Sequence, residues 1–167
     1  MSILVLNAGS STLKFSLFDQ SAREELANGL VDWRGRDESA TLQFRSLTTG
    51  EKQSTLEVAD NGKAASRFIG SLRDTGFDDP IDVVGHRMVH GGTEFSRTTL
   101  INDHVSQSLQ RISELAPLHN PSALTTIDPV QLQRSFVPHD EPTESVICKR
   151  RLMTRPHYLA SIRRSLL

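Results

Sequence analysis

Residues 3–18 read ILVLNAGSSTLKFSLF and form the most informative stretch of the chain. The first four residues are all apolar, which is typical of a short strand buried on both faces. Residues 7–11 are turn formers, so we expect the strand to end there and a hairpin to follow. From Thr12, apolar and polar residues alternate, and the apolar ones should share the core face of a second strand: Leu13, Phe15 and Leu17.

The polar face of this second strand predicts an anion site. Ser10, Thr12 and Lys14 are spaced by two, so all three can point to one side just beyond a glycine turn. Backbone N–H groups, hydroxyls and an ammonium together suit a small anion such as phosphate. The alternative is an ordinary hairpin turn followed by a solvated lysine, which would be the better interpretation for an arbitrary hairpin.

The composition narrows the class of protein. The chain has 167 residues, a formal net charge of -1, 37% hydrophobic residues and 23% charged residues, which fits one globular domain with a sizeable core. Its single cysteine, Cys148, excludes an internal disulfide and a cysteine-rich zinc site. The sequence contains neither a long apolar run nor an export signal. We therefore expect a cytoplasmic protein with no membrane segment, and the charge does not call for a nucleic-acid partner.

The pattern after the first hairpin predicts a β-meander followed by helices and a further strand. Strands are expected at 24–31, 40–47, 53–58 and 82–90. Helices are expected from Asp60 or Asn61 to about residue 74, from Asp103 onward, and from Pro121 to Leu124. This order of elements predicts an α/β or α+β domain.

The strand expected at 82–90, DVVGHRMVH, carries a second candidate site. If all nine residues are extended, Arg87 and Val89 share a face with Gly85. An arginine fork beside a small apolar side chain suits a short carboxylic acid, whereas an arbitrary strand arginine is more often a surface residue paired with an acid. We reject a metal site at His86 and His90, because strand residues four apart are separated by roughly 13 Å.

A third string, LAPLHNP at 115–121, forms a loop bounded by two prolines. His119 and Asn120 lie just before the helix expected from Pro121, so they can either cap that helix or face a ligand. The string by itself favours capping.

Taken together, the strings LVLNAGSSTLKFSLFD (4–19), GHRMVHGG (85–92) and LAPLHNP (115–121) resemble, in order and approximate spacing, the acetate kinase family. The resemblance covers residues 1–128. It implies an α/β chain that forms the N-terminal domain of the actin-like or sugar-kinase fold, with a mixed β-sheet and flanking helices. It also implies a reversible, magnesium-dependent transfer of phosphoryl from ATP to acetate.

The resemblance also implies roles for individual residues. Asn7 would help to place Mg²⁺. Ser10, Thr12 and Lys14 would lie near the phosphates of ATP. The acetate site would be built from a carboxylate-binding arginine, a methyl pocket and a histidine at the edge of the active site: Arg87, Val89 with Leu118, and His119. Thr12 stands where the family more often has serine, and Met88 where it more often has an aliphatic residue.

The resemblance ends at about residue 128, and 129–167 differs in kind. This segment carries a net charge of +4 and four prolines, against -5 for the residues before it. The later family motifs, including an Asp-Thr-Ala-Phe strand and the second domain, are absent. We therefore interpret 1–128 as the kinase-like domain, and 129–167 as a divergent basic tail that is out of frame or disordered, in a truncated chain.

Three functions remain open from the sequence. The chain can be an acetate kinase-type phosphotransferase, with propionate as the alternative substrate. It can be an inactive fragment that retains carboxylate or phosphate binding. It can also use its basic tail for interactions, although arginine runs are usually solvated surface, and we expect neither a specific nucleic-acid partner nor a membrane. An uncovered sheet edge in a truncated chain predicts self-association, for example as a homodimer.

Overall fold

A computed structural model describes residues 2–34, 39–57, 60–74, 81–115, 117, 120–127 and 144–149. The strands are β1 (Ser2–Ala8), β2 (Thr12–Asp19), β3 (Glu25–Asp32), β4 (Ser39–Ser46), β5 (Gly50–Glu57), β6 (Ile81–Met88), β7 (Thr99–Leu100) and β8 (Glu144–Lys149). The helices are α1 (Asn61–Asp74), α2 (Asp103–Ile112) and α3 (Asn120–Leu124), with a 3-10 turn at Ser113–Leu115 after α2.

All the described strands join one sheet, in the order β5-β4-β3-β2-β1-β6-β8-β7. The strands β1 to β5 form an antiparallel meander, whereas β6 runs parallel to both β1 and β8. The expected mixed sheet with a β-meander and flanking helices is therefore confirmed.

The alternation in β2 separates a core face from a polar face, as the sequence predicted. Leu13, Phe15 and Leu17 are at most 3% exposed, whereas Lys14 is exposed. Helix α1 covers the core face, and the ring of its Phe68 stacks on Phe15 with 3.4 Å between the centroids. Burying these apolar side chains away from water fixes which side of the meander carries polar groups.

Both longer helices begin where the sequence indicated. The backbone N–H of Lys63 donates to Asp60 Oδ1 at 2.8 Å, so Asp60 caps α1. Helix α2 begins at Asp103, and its N-cap Asn102 accepts from the backbone N–H of Val105 at 2.9 Å. The buried apolar residues of α2 and α3 pack with Met88 of β6 in a second apolar cluster.

Three predicted strand bounds are wrong by two residues or more. Strand β5 begins at Gly50, three residues before its predicted start. Strand β1 continues through Asn7 and Ala8, because both residues pair with β2 instead of forming the turn. Strand β6 ends at Met88, two residues before the predicted end. The Asn120 side chain binds both backbone polar groups of His90, which replaces the ladder partners of a continued strand.

Within the predicted basic tail, the structure describes only the backbone of residues 144–149. They form β8, which lies between β6 and β7. The rest of the segment lies outside the described residues, so its expected character and the domain boundary at 128 stay predictions. None of the described helices has the length and apolarity required to cross a membrane.

Candidate active site

The polar residues predicted from two distant strings meet at one end of the sheet. Asn7 and Lys14 are direct cross-strand partners in the β1–β2 pair, so their side chains leave the same face. The β1–β6 register pairs Leu6 with His86, and Asn7 and Arg87 follow on the opposite face. Because β1 and β6 are parallel, both reach this edge with their carboxyl ends, where ligands commonly bind in sheets of this kind.

A hydrogen bond joins the two strands within this site. Arg87 Nη1 donates to Asn7 Oδ1 at 2.7 Å, and both residues are partly buried. This distance is typical of a strong hydrogen bond from a charged donor. This bond uses one of the five N–H donors of the Arg87 guanidinium. It fixes the direction of the guanidinium, whose planar shape suits a carboxylate.

Lys14 brings a second positive charge to the same face. Its side chain is exposed, and it forms neither an ion pair nor a hydrogen bond with any residue in the described ranges. Lys14 also lines an open groove of about 660 Å³. The other residues that line this groove belong to β3, β4 and β5, and neither Asn7 nor Arg87 is among them. Lys14 is therefore placed between the Asn7–Arg87 pair and this groove.

The predicted anion turn is closed by a backbone contact. The N–H of Gly9 donates to the carbonyl of Thr12 at 2.7 Å, and the Trp33 N–H donates to the carbonyl of Ser11 at 3.1 Å. Ser10 is exposed in the turn, and Thr12 is partly buried as the first residue of β2. Thr12 and Lys14 lie on the same face by alternation, as predicted for the anion site.

Of the residues predicted for the acetate site, the structure describes only Arg87 and Val89. Val89 is partly buried at a bend after β6, so it does not extend the strand face of Arg87 as the predicted strand would require. Leu118 and His119 lie outside the described residues, and their roles stay predictions. Asn120 is fully buried and binds the His90 backbone at 2.8 and 3.2 Å, which differs from the capping role that the loop sequence favoured.

His86 is a buried neutral histidine on the core side of β6. Its Nδ1 lies 2.9 Å from the Thr126 hydroxyl, which itself donates to the carbonyl of Ala123. Nδ1 must therefore carry the proton and donate to Thr126. Burial lowers the pKa of His86 to about 3, because desolvation penalises the charged ring.

Asn7 Oδ1 is an oxygen suited to Mg²⁺ on the polar face. Magnesium is usually held by one or two protein oxygens together with phosphate oxygens and waters, so an asparagine oxygen fits as a single contributor. In this structure that oxygen accepts from Arg87. The described part of the chain contains no group of three His, Cys, Asp or Glu side chains that could hold a metal ion by itself.

Comparisons with known proteins identify the family of the chain. The model of the acetokinase family matches residues 2–143. The chain belongs to the acetokinase family. It is 45% identical over 130 residues to the acetate kinase of Oceanobacillus iheyensis, covering 75% of this chain and 32% of that protein. It is 41% identical over 132 residues to the acetate kinase of Halothermothrix orenii, covering 76% of this chain and 33% of that protein.

Solved structures of acetokinases and related kinases share the fold. A propionate kinase from Francisella tularensis aligns with a TM-score of 0.74 and 28% identity, over 89% of this chain and 36% of that chain. An acetate kinase from Porphyromonas gingivalis aligns with a TM-score of 0.73 and 27% identity, over 89% of this chain and 37% of that chain. The predicted fold, the N-terminal part of such a kinase, is confirmed, and the chain spans about one third of the length of the curated relatives.

Two contacts of the site region could not be found from the sequence. Asn120 binds His90 across 30 residues, and Asn61 binds the Gly9 carbonyl across 52 residues. Neither contact has a local sequence signal, because an asparagine before a proline or near a helix start is more often a cap.

Proposed function

We propose that this chain carries the carboxylate-binding and phosphate-binding residues of an ATP-dependent acetate phosphotransferase, which forms ADP and acetyl phosphate. The observation that carries the proposal is the Arg87–Asn7 hydrogen bond of 2.7 Å, with Lys14 as the strand partner of Asn7. The two cations, Lys14 on β2 and Arg87 on β6, therefore lie on either side of Asn7 on one polar face. Family membership makes acetate and ATP the substrates to test first.

The reaction needs positive charge more than it needs a base. A short carboxylic acid is already ionised at neutral pH, since its pKa is near the value of about 4.3 for a glutamate side chain. The obstacle is repulsion between the carboxylate and the phosphoryl group, roughly 4 kcal/mol for two unit charges about 4 Å apart at an effective dielectric of 20. Arg87 and Lys14 supply charge of the required sign at the required edge of the sheet.

Each residue then has a distinct task. Arg87 binds both carboxylate oxygens through its fork, and Asn7 orients that fork. Lys14, with Ser10 and Thr12, binds the phosphates of ATP. Mg²⁺, when bound, neutralises charge on those phosphates, and Asn7 is the described residue that would contribute an oxygen to it. Val89 would complete the acetate pocket together with Leu118 and His119, which lie outside the described residues. The sequence predicts that the protein is cytoplasmic.

A second candidate function is binding without catalysis. The chain spans about one third of the length of the curated relatives. A chain that binds acetate or phosphate without turnover is the specific alternative to a working kinase. Propionate differs from acetate by one methylene, which such pockets distinguish by only about 1 to 3 kcal/mol, so both acids belong in the assay.

Trapping of acyl phosphate with hydroxylamine tests the proposal. The purified chain is incubated with ATP, Mg²⁺ and either acetate or propionate, beside the variants Arg87→Ala and Arg45→Ala. Arg45 is the matched control, because it is an exposed arginine of β4 whose partner is Glu51 at 3.7 Å. Product that is lost in Arg87→Ala and retained in Arg45→Ala supports the kinase. No product from a folded chain that still binds acetate supports the binding fragment, and equal product from both variants contradicts the role of Arg87.

A further inference from the structure

Asn61 is a buried polar residue that the cap of α1 does not require. It is the first residue of the helix and is 4% exposed. The capping contact is made by Asp60, whose side chain accepts from the Lys63 N–H at 2.8 Å. The Asn61 side chain is therefore available for a contact outside its own helix.

That contact is made with the predicted anion turn. Asn61 Nδ2 donates to the carbonyl oxygen of Gly9 at 2.9 Å. Gly9 connects the end of β1 to Ser10, and its own N–H donates to the Thr12 carbonyl at 2.7 Å. Both polar groups of Gly9 are thus bound, one within the turn and one to α1.

The other end of the Asn61 amide argues against a purely stabilising role. Its Oδ1 is buried and has no hydrogen-bond partner among the described residues. Burying an unpaired acceptor costs free energy, which an apolar residue of similar size would avoid. The opposite orientation of the amide would bring two oxygens together at Gly9, so the donor end is the one that the turn requires.

The Gly9 carbonyl and the Ser10 N–H belong to one planar peptide group. In a trans peptide these two groups point in opposite directions, and this chain has no cis peptide among its described residues. Since the carbonyl is directed at α1, on the core side of the meander, the Ser10 N–H is directed to the other side. That side carries Asn7 and Lys14.

We propose that Asn61 is a positioning residue that holds the Gly9–Ser10 peptide so that the Ser10 N–H donates to a phosphate oxygen of ATP. The phosphate part of this inference rests on the proposed function, whereas the orientation of the peptide does not. Successive backbone N–H groups are effective anion ligands only when their direction is fixed before the anion arrives.

Asn61→Asp removes the donor without changing the shape of the side chain. At neutral pH its carboxylate faces the Gly9 carbonyl and repels it, so the peptide is released. A carboxylate in the first turn of a helix interacts favourably with the helix dipole, which offsets part of the cost of burying it. Asn102→Asp is the matched control, because Asn102 caps α2 through an oxygen that accepts from Val105, a role that a carboxylate also fills.

The first measurement uses the Ser10 amide in the chain without any ligand. We expect its ¹⁵N chemical shift to change in Asn61→Asp at neutral pH, because the Gly9 carbonyl that loses its hydrogen bond belongs to the same peptide group as the Ser10 N–H. Acidification protonates the new carboxyl group, which can then donate to Gly9, so the shift should return toward that of the parent. Asn102→Asp should leave the Ser10 shift unchanged. A Ser10 signal in Asn61→Asp that matches the parent at every pH overturns the inference.

The second measurement titrates MgATP, with inorganic phosphate as the minimal anion. Weaker binding by about tenfold in a folded Asn61→Asp chain, with unchanged binding in Asn102→Asp, supports the complete proposal. Equal binding by the parent and by Asn61→Asp overturns the phosphate role of Ser10. If the parent binds neither anion, the proposed function fails for this chain, while the Ser10 signal still decides whether Asn61 positions the peptide.

Discussion

Replacing His86 with leucine should remove a large part of the acid sensitivity of this protein. The pKa of His86 is lowered by burial to about 3, from a usual value of 6.5. Its ring is therefore neutral in the folded chain, whereas the same ring in the unfolded chain binds a proton as the pH falls below 6.5. Protonation of the unfolded state alone stabilises that state, so the free energy of unfolding must fall with the pH.

The two pKa values determine the size of this effect. Below pH 6.5, the free energy of unfolding falls with a slope that approaches about 1.4 kcal/mol per pH unit. Integration from about pH 7.5 to about pH 5 gives a decrease in that free energy of about 2 kcal/mol from His86 alone. His86→Leu leaves the Thr126 hydroxyl bonded to Ala123, so the variant does not create an orphaned donor there.

The assay is urea unfolding of the parent and the variant at several pH values in this interval. We expect the parent to lose about 2 kcal/mol more than His86→Leu across the interval, whatever their difference at neutral pH. His104→Leu is the control for the exchange of a histidine for leucine, because His104 is an exposed histidine of α2. An identical pH dependence in the parent and in His86→Leu would refute the buried neutral histidine.

Three further predictions concern a glycine of the sheet, the Asp19 carboxylate at the end of β2, and the proposed acetate site. Gly29→Ala should lower the free energy of unfolding by about 1 to 3 kcal/mol, because a Cβ there would lie 2.2 Å from Phe15 Cζ and 2.3 Å from the Gln43 carbonyl. Gly70→Ala, in open space on α1, should raise it by about 0.5 to 1 kcal/mol, and urea unfolding compares the two directly. The pKa of Asp19 is lowered from 3.8 to about 2, chiefly by a hydrogen bond from the Ser21 hydroxyl. The stability that the ionised Asp19 contributes is therefore present above pH 3.8 and is lost as the pH falls toward 2. Asp19→Asn should therefore lose less stability than the parent in that interval, measured by acid titration of the circular dichroism signal, and an unchanged titration would be evidence against the bond. Asn7→Ala should weaken acetate binding by about tenfold through loss of the bond that orients the arginine, measured by calorimetry, and full affinity would show that this bond is dispensable.

The sequence was most informative where one local pattern was sufficient. Alternation in β2 predicted its buried face because period-2 spacing depends only on the strand itself. The start of α1 was predicted because Asp60 binds a backbone N–H only three residues away. In such cases the residues that make the contact are neighbours in the chain.

Prediction failed where distant residues decide the outcome. Asn7 and Ala8 look like turn residues, yet pairing with β2 extends β1 through both of them. The early end of β6 depends on Asn120, which follows α2 in the chain and binds the backbone of His90, 30 residues earlier. Sequence spacing carries no information about such contacts.

The candidate site combines both situations. The residue types were identified in two separate strings, but the bond between Asn7 and Arg87 spans 80 residues and depends on β1 and β6 being parallel neighbours. The resemblance to a known family, and not the local pattern, indicated that these strings belong to one site.

The measurement that tests the central claim most directly is a titration of ¹³C-labelled acetate into the chain, followed by NMR line broadening. The parent should bind acetate, Arg45→Ala should bind it equally well, and Arg87→Ala should bind it about a hundredfold more weakly, since both charged hydrogen bonds of the fork are lost. Unchanged acetate affinity in a folded Arg87→Ala variant, or no binding by the folded parent, would contradict the assignment of Arg87 as the carboxylate-binding residue.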